Sequence, residues 1–262
     1  MSLTGRSISA WYKDLLQIDN SNSGVDSTLR PVKSGDGSSS SLSISDRRVK
    51  VLTSDDTTTT FSVFDKDANA KFLVDTSNDT VKVLANYANT QYAYFGATSS
   101  DTSLASANTH YAIPFTNCNG DSNGVINVGT GTNPDTSVTL NGSSVFAQQW
   151  VGKFWHVMDN MTIDRVVWWN GADASSGDTI RAHLMAYDVV SDNTSNSGNL
   201  SNGTVLADGS DITNAGWEQG YYQQMTIQSA NVDAGKIILF IYRTDSVNSD
   251  YTINSTIKFH LR

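Results

Sequence analysis

A single cysteine, Cys118, leaves the chain with no possible internal disulfide. Its neighbours Asn117, Asn119 and Gly120 are loop formers, and no base is paired with the thiol, so it reads as an inert residue. Glutamate occurs once, at Glu218. A glycosidase needs two carboxylates flanking a sugar cleft, and here Asp would have to supply the second. No G-x-S-x-G, phosphate-loop or G-x-G-x-x-G motif is present, so no catalytic residue is assigned. Charged residues make up only 16% of the chain and the formal net charge is −9. Binding phosphates takes clustered Lys and Arg, so a nucleic-acid partner is not expected. The one basic run, Arg47-Arg48-Val49-Lys50, follows Asp46 and reads as a solvated strand end. No apolar run reaches the ~20 residues a bilayer requires, so membrane insertion is not expected either. Residues 1–5 lack the apolar core of a signal peptide.

Metal-ligand spacing is also missing. None of the four histidines, His110, His156, His183 and His260, has an HxH or HxxxH partner. His183 and His260 fall at the polar positions of alternating stretches, where a solvent or interface face is the ordinary explanation. The oxygen-rich groups Asp19/Asn20/Asn22/Asp26 and Asp188/Asp192/Asn193 do not match an EF-hand pattern, and a chain rich in Asn and Asp produces such groups by composition. No metal and no cofactor is expected.

Ser, Thr, Asn, Asp and Gly supply most of the polarity, a mixture that favours turns and strands over long helices. One helix is predicted, over residues 7–16. Ile8, Trp11, Tyr12, Leu15 and Leu16 share one face at helical spacing, and Ser7 can cap its start. So short a helix is marginal alone, and its aromatic face needs a surface to rest on. Residues 19–24 then break it with strong turn formers.

Between residues 41 and 84 apolar residues recur two apart: Leu42 and Ile44, Val49 and Val51, Phe61 and Val63, Phe72 and Val74, Val81 and Val83. That is the strand period, and Asp/Thr/Ser/Asn turns separate the stretches. So few apolar side chains cannot cover themselves in one chain, and an isolated hairpin is marginal in water. Three copies wound about a common axis would cover them, which predicts a thin trimeric β-shaft. The competing reading is a disordered polar linker, in which regular Phe and Val placement would have no role. Beyond residue 86 apolar and aromatic content rises. Stretches at 154–158, 163–169, 180–190, 222–228, 237–243 and 251–261 read as strands, with turn residues such as Asn170-Gly171 and Ala234-Gly235 between them. Together they predict an antiparallel β-sandwich of jelly-roll type. Residues 193–214, rich in Ser, Asn and Gly, read as a long exposed loop or crossing. The fold class expected is therefore all-β: residues 1–20 a helical anchor, 21–86 an extended shaft, 87–262 a jelly-roll head.

The segment LLQIDNSNSGVDSTLRPVKSGDGSSSSLSIS, with FWHVMDNMTIDRVVWW and DAGKIILFIYRTDSVNSDYTINSTIKFHL further on, resembles virion fibre and decoration proteins of tailed, particularly marine, bacteriophages. The resemblance is one of wording and layout, covers most of the chain and brings no catalytic motif. It implies a structural virion protein, assembled in the host cytoplasm as a homotrimer. Its N-terminus, through Ile8, Trp11, Tyr12, Leu15 and Leu16, would dock on capsid or tail proteins.

Trp168 and Trp169 must point to opposite sides of a strand, so one is core and the other faces solvent or a neighbouring subunit. With Trp217, Tyr221 and Tyr222, Trp169 makes a candidate surface for a host glycan, since exposed Trp and Tyr serve both as sugar platforms and as interface anchors. The alternatives this leaves are a glycan-binding tail-fibre tip, a monomeric carbohydrate-binding module and a tailspike depolymerase.

Overall fold

The computed structural model describes residues 14–21, 23–98, 106–115, 126–140, 145, 147–172, 176–192, 194–216, 218–246 and 251–262. The chain divides into two compact units, Met1–Ala88 and Asn89–Arg262.

The first unit holds two antiparallel sheets. β1 (Gln17–Ile18), β2 (Arg30–Lys33), β3 (Ser39–Ile44) and β4 (Val49–Val51) pair in chain order, and so do β5 (Phe61–Phe64), β6 (Ala70–Asp75), β7 (Thr80–Val83) and β8 (Asn86–Tyr87). The polar turns are built by side chain to backbone bonds. The Asp65 carboxylate accepts the N–H groups of Asp67 and Asn69 at 2.9 Å each. These bonds hold Ala68 at a φ of 61°, the left-handed conformation the turn needs. Each expected alternating stretch is thus a strand, but none acquires a core. Val32 is the only buried hydrophobic side chain among the described residues of this unit. Phe61, Phe64, Val49, Leu52, Val81 and Leu84 are all exposed.

Of the helix expected over 7–16, residues 7–13 lie outside the described residues, and with them Ile8, Trp11 and Tyr12. The part that is described is not helical. Leu15 and Leu16 are exposed and lead directly into β1, whose Gln17 and Ile18 pair with Lys33 and Val32. That pairing draws the chain into extended backbone just where the predicted helix would have ended.

The second unit contains β9 (Thr90–Ala97), β10 (Thr109–Ala112), β11 (Ile126–Asn127), a helical turn α1 (Ala147–Trp150), β12 (Trp155–His156), β13 (Met161–Ala172), β14 (Thr179–Val189), β15 (Leu200–Asp208), β16 (Ile212–Thr213), β17 (Gln219–Gln224), β18 (Thr226–Ile227), β19 (Asn231–Val232), β20 (Ile237–Thr244) and β21 (Tyr251–Leu261). These make an antiparallel sandwich. One sheet runs β17-β13-β21-β9; the other runs β11-β10-β20-β14-β15-β18, with β12 on β20 and β16 on β14. The long strands pair in a nested order. β14 pairs β15, β13 pairs β17, β10 pairs β20 and β9 pairs β21. Each pair encloses the next along the chain, with β14 and β15 innermost.

Alternation along the strands explains the packing. Phe95, Val166, Trp168, Leu184, Phe240, Tyr242, Ile253 and Ile257 project between the sheets and form the main core. The second sheet is buried on both faces. Its outer face carries Met185, Tyr187, Leu239 and Ile241, which pack against Ile126, Val128, Val145 and Trp150 from the segment before β12.

Asn170-Gly171, expected as a turn, lies within β13, and the strand expected over 222–228 divides at Met225 into β17 and β18, which belong to different sheets. Two further expectations fail. Residues 193–214 are not one long loop, because β15 occupies their middle. Leu200, Leu206 and Ala207 are buried against β14 and the core. Two register shifts in the β14–β15 pairing break the period-two pattern that would have shown a strand. His183 and His260 are also not on a solvent face. Both are buried, His183 on the face of β14 that the second apolar cluster covers and His260 against the Asp164 carboxylate at 2.9 Å.

Candidate functional site

Among the described residues of the sandwich, exposed aromatic side chains gather on the outer face of the β17-β13-β21-β9 sheet. Trp168 points inward and is fully buried; Trp169 points outward and is 54% exposed. Trp169 sits opposite Tyr222 on β17, the two rings 5.2 Å apart at 55°. On the other side of Trp169, Asn254 of β21 is its register partner, and Asn254 in turn faces Gly96 of β9. The next row holds Gln224, Val167, Thr256 and Tyr94, and the one beyond it Arg165, Lys258 and Tyr92. Tyr92 and Tyr94 are exposed. The Arg165 Nη2 group donates a 2.9 Å hydrogen bond to the Tyr222 hydroxyl, which fixes that ring beside the indole.

Gly96 interrupts the row of side chains on β9. A hollow of about 330 Å³ opens there, lined by Tyr94, Gly96, Thr98, Thr252 and Asn254 among others. The face thus combines flat apolar rings, an amide, hydroxyls and a concave edge. Such a mixture can stack on the apolar face of a sugar ring while hydrogen-bonding its hydroxyls.

The structure brings together only part of the expected set. Trp169 and Tyr222 meet. Tyr221 faces the other way: it stands in register with Asn170, and its hydroxyl accepts the N–H of Ala215 at 2.7 Å and donates to Asn214 Oδ1 at 3.2 Å. Tyr221 therefore braces the loop before β17 rather than joining the platform. Trp217 lies outside the described residues. Sequence reasoning missed Tyr92, Tyr94, Gly96 and Asn254. The alternation Tyr92-Ala93-Tyr94-Phe95 could have shown that both tyrosines share a face, but not that β9 lies beside β21. Glu218 is exposed, with a φ of 52°.

A second cluster sits in the buried outer face of the other sheet. The rings of His110 on β10 and His183 on β14 lie edge to face, 5.1 Å apart, and both residues are fully buried. His110 Nδ1 lies 3.3 Å from the Gly129 carbonyl, while its Nε2 has no partner among the described residues. Asp208 Oδ1 approaches His183 Nδ1 at 3.1 Å, but out of line for a hydrogen bond. Burial pushes both imidazoles down to about 4. Repulsion from His183 comes next for His110, and repulsion from Arg181 and Arg243 for His183. Both rings are neutral at pH 7 and act as packing groups. Among the described residues, no three His, Cys, Asp or Glu side chains converge as a metal site would require.

No protein-family model matches this chain, and no curated protein matches it.

Proposed function

We propose that this chain is a structural protein of a phage virion, a homotrimeric fibre or decoration protein. In this reading its N-terminal segment docks on capsid or tail proteins, and its C-terminal sandwich is an adhesion head. The observation that carries the reading is the exposed apolar surface of the first unit. Two four-stranded sheets whose described residues include one buried hydrophobic side chain, Val32, do not meet the needs of a stable isolated domain. Exposed Val, Leu and Phe repeated along successive strands mark an interaction surface. Further copies of the same chain would cover it and turn the two small sheets into a shaft. The resemblance of the sequence to phage fibre proteins supplies the particle, and the aromatic face of the sandwich supplies an adhesive surface. We read the sandwich as a jelly roll, since four nested strand pairs are what rolling up a single long hairpin produces. Work of this kind is binding and assembly, without turnover.

The solution mass of the full chain tests the assembly. A value three times the 28.3 kDa chain mass is expected. Replacing Val49, Phe61, Phe64 and Val81 by Ser should then lower the mass or destabilise the assembly. A monomer at micromolar concentration would overturn the fibre reading.

A further inference from the structure

The outer face of the second sheet carries a charged corner beside its apolar cluster. β10, β20 and β14 lie side by side there, and His110, Arg243 and Arg181 form one row across them. His183 stands two residues further along β14, in register with Ile241 of β20 and Asp208 of β15. The two imidazoles reach toward each other and meet edge to face at 5.1 Å. Arg181 Nε lies 2.8 Å from Asp211 Oδ1, and Arg243 Nη2 donates to Asn108 Oδ1 at 2.9 Å.

Residues 126–140 lie over this corner. The Val128 N–H donates to the His110 carbonyl and the His110 N–H to the Gly129 carbonyl, each at 2.8 Å. The same Gly129 carbonyl lies 3.3 Å from Nδ1 of the His110 ring. The stretch carries one charged residue, Asp135, whose carboxylate stands 2.1 Å from where a Cβ on Gly129 would be. Its other attachments are few. β11 contributes two register pairs with β10. Val138 and Leu200 exchange backbone bonds at 2.9 and 2.8 Å, and the Thr136 carbonyl accepts the Gly203 N–H at 2.8 Å. The Tyr187 hydroxyl donates to the Asp135 carbonyl. Ile126, Val128 and Val138 are buried, but none of them belongs to the core between the sheets. A segment so attached can open while the packing beneath it persists.

The charged and titratable groups around the rings, among the described residues, are Arg181 and Tyr187 of β14, Arg243 of β20, Asp208 of β15, Asp211 beyond it and Asp135 above. Burial is the main force against a charge on either ring. The neighbouring imidazole adds to it at His110 and the two arginines at both, while Asp211 offsets part of it at His183.

We propose that residues 126–140 are an acid-released cover: proton uptake by His110 and His183 lifts them from the second sheet while the two sheets stay packed together. Opening at Gly129 brings water to His110 and to the His183 ring beside it. The open form therefore binds protons that the closed form refuses, and acid favours it. Met185, Tyr187, Leu239 and Ile241 lose part of their covering in the open form, so acid uncovers an apolar face. The inference does not rest on the fibre reading.

Hydrogen exchange of the full chain at pH 7.5 and 5, read by mass spectrometry on peptides and corrected for the intrinsic pH dependence of exchange, tests this. Peptides within 126–140 should exchange faster than those of β13 and β21 at both values. They should also speed up by about a hundredfold at the lower pH. The double change His110→Gln and His183→Gln should bring the cover to nearly the same exchange at both values. His183→Gln alone should remove about half of the acceleration on a logarithmic scale, so the test does not depend on the double variant folding. The solution mass is measured at both pH values. A monomer whose cover opens in acid would end the fibre reading and leave this one intact. Exchange of the cover no faster than that of β13 and β21 would make the sandwich one cooperative unit and overturn the proposal. So would a cover indifferent to pH, an acceleration that survives in both variants, or one that appears only in step with a fall in mass.

Discussion

The buried histidine pair makes the sandwich sensitive to mild acid, by an amount the structure sets. His110 and His183 are neutral in the folded chain, with pKa values of about 4, while an unfolded histidine titrates near 6.5. The unfolded state therefore takes up protons first as the pH falls. Stability is complete above pH 6.5 and declines between 6.5 and 4, with a slope approaching 1.4 kcal/mol per pH unit for each ring. At pH 5 the loss is about 2 kcal/mol per ring if the two act separately. Repulsion between them is shared, so about 3 kcal/mol for the pair is the more realistic figure. Replacing both with Gln removes the titration while keeping comparable volume. Urea unfolding of the full chain and the double variant, followed by tryptophan fluorescence from pH 7.5 to 4.5, gives the comparison. The variant can be less stable throughout, yet its profile should be flatter by that amount at pH 5, because every other titrating group cancels in the difference. Parallel profiles over the whole range would refute the argument and mean that one or both rings are reached by water.

Two further substitutions test the packing. At Gly203 an added Cβ would stand 2.5 Å from Tyr187 Cε1 and 2.8 Å from the Thr136 backbone. Tyr187 is fully buried with its hydroxyl donated to the Asp135 carbonyl at 2.9 Å, so it cannot step aside. Gly203→Ala should cost about 1–3 kcal/mol in chemical denaturation, and a change under about 0.5 kcal/mol would contradict that packing. Trp168 fills the space between the sheets and donates from Nε1 to Gln223 Oε1 at 3.2 Å. Trp168→Ala should cost about 3–5 kcal/mol, whereas Trp169→Ala, on the same strand but exposed, should leave the unfolding midpoint nearly unchanged. Equal losses at the two positions would mean that the faces of β13 are assigned the wrong way round.

Local periodicity carried a good deal of this architecture. The five apolar pairs between residues 41 and 84 and the runs at 163–169, 180–190, 237–243 and 251–261 become strands, while 222–228 divides between two, because strand alternation is written in single residues and survives without context. What failed is whatever depends on a distant segment. β15 is nearly invisible in sequence, since Asn202, Gly203 and Thr204 dilute its apolar residues and two register shifts spoil the phase. His183 reads as surface because its own strand alternates; Ile126, Val128, Val145 and Trp150, packed on the second sheet, make that face an interior. The candidate site divides in the same way. Trp169 opposite Trp168 follows from strand geometry, and Tyr222 was found by composition. Tyr94, Gly96 and Asn254 join them through the pairing of β9 with β21, which brings together residues about 160 positions apart in the chain.

The two units treat apolar surface in opposite ways, and the contrast bears on what each is for. The second unit buries both faces of one sheet and the inner face of the other, an expenditure of side chains well beyond what a two-layer sandwich of its size requires. Among its described residues, exposed aromatic rings gather on the remaining face, which carries Trp169, Tyr222, Tyr92 and Tyr94. Rings with a polar tip or edge are suited to a surface that meets a ligand and water by turns. The first unit leaves Val, Leu and Phe exposed along nearly every strand and has almost no interior. Such side chains have no polar atom to offer a soluble sugar, whereas strands of another copy would cover them. In the proposed fibre the two surfaces would divide the work, assembly through the apolar first unit and adhesion through the aromatic face of the second. A chain in which Ser replaced the exposed apolar residues of the first unit should then keep its adhesive contacts one site at a time and lose the avidity that several linked heads confer.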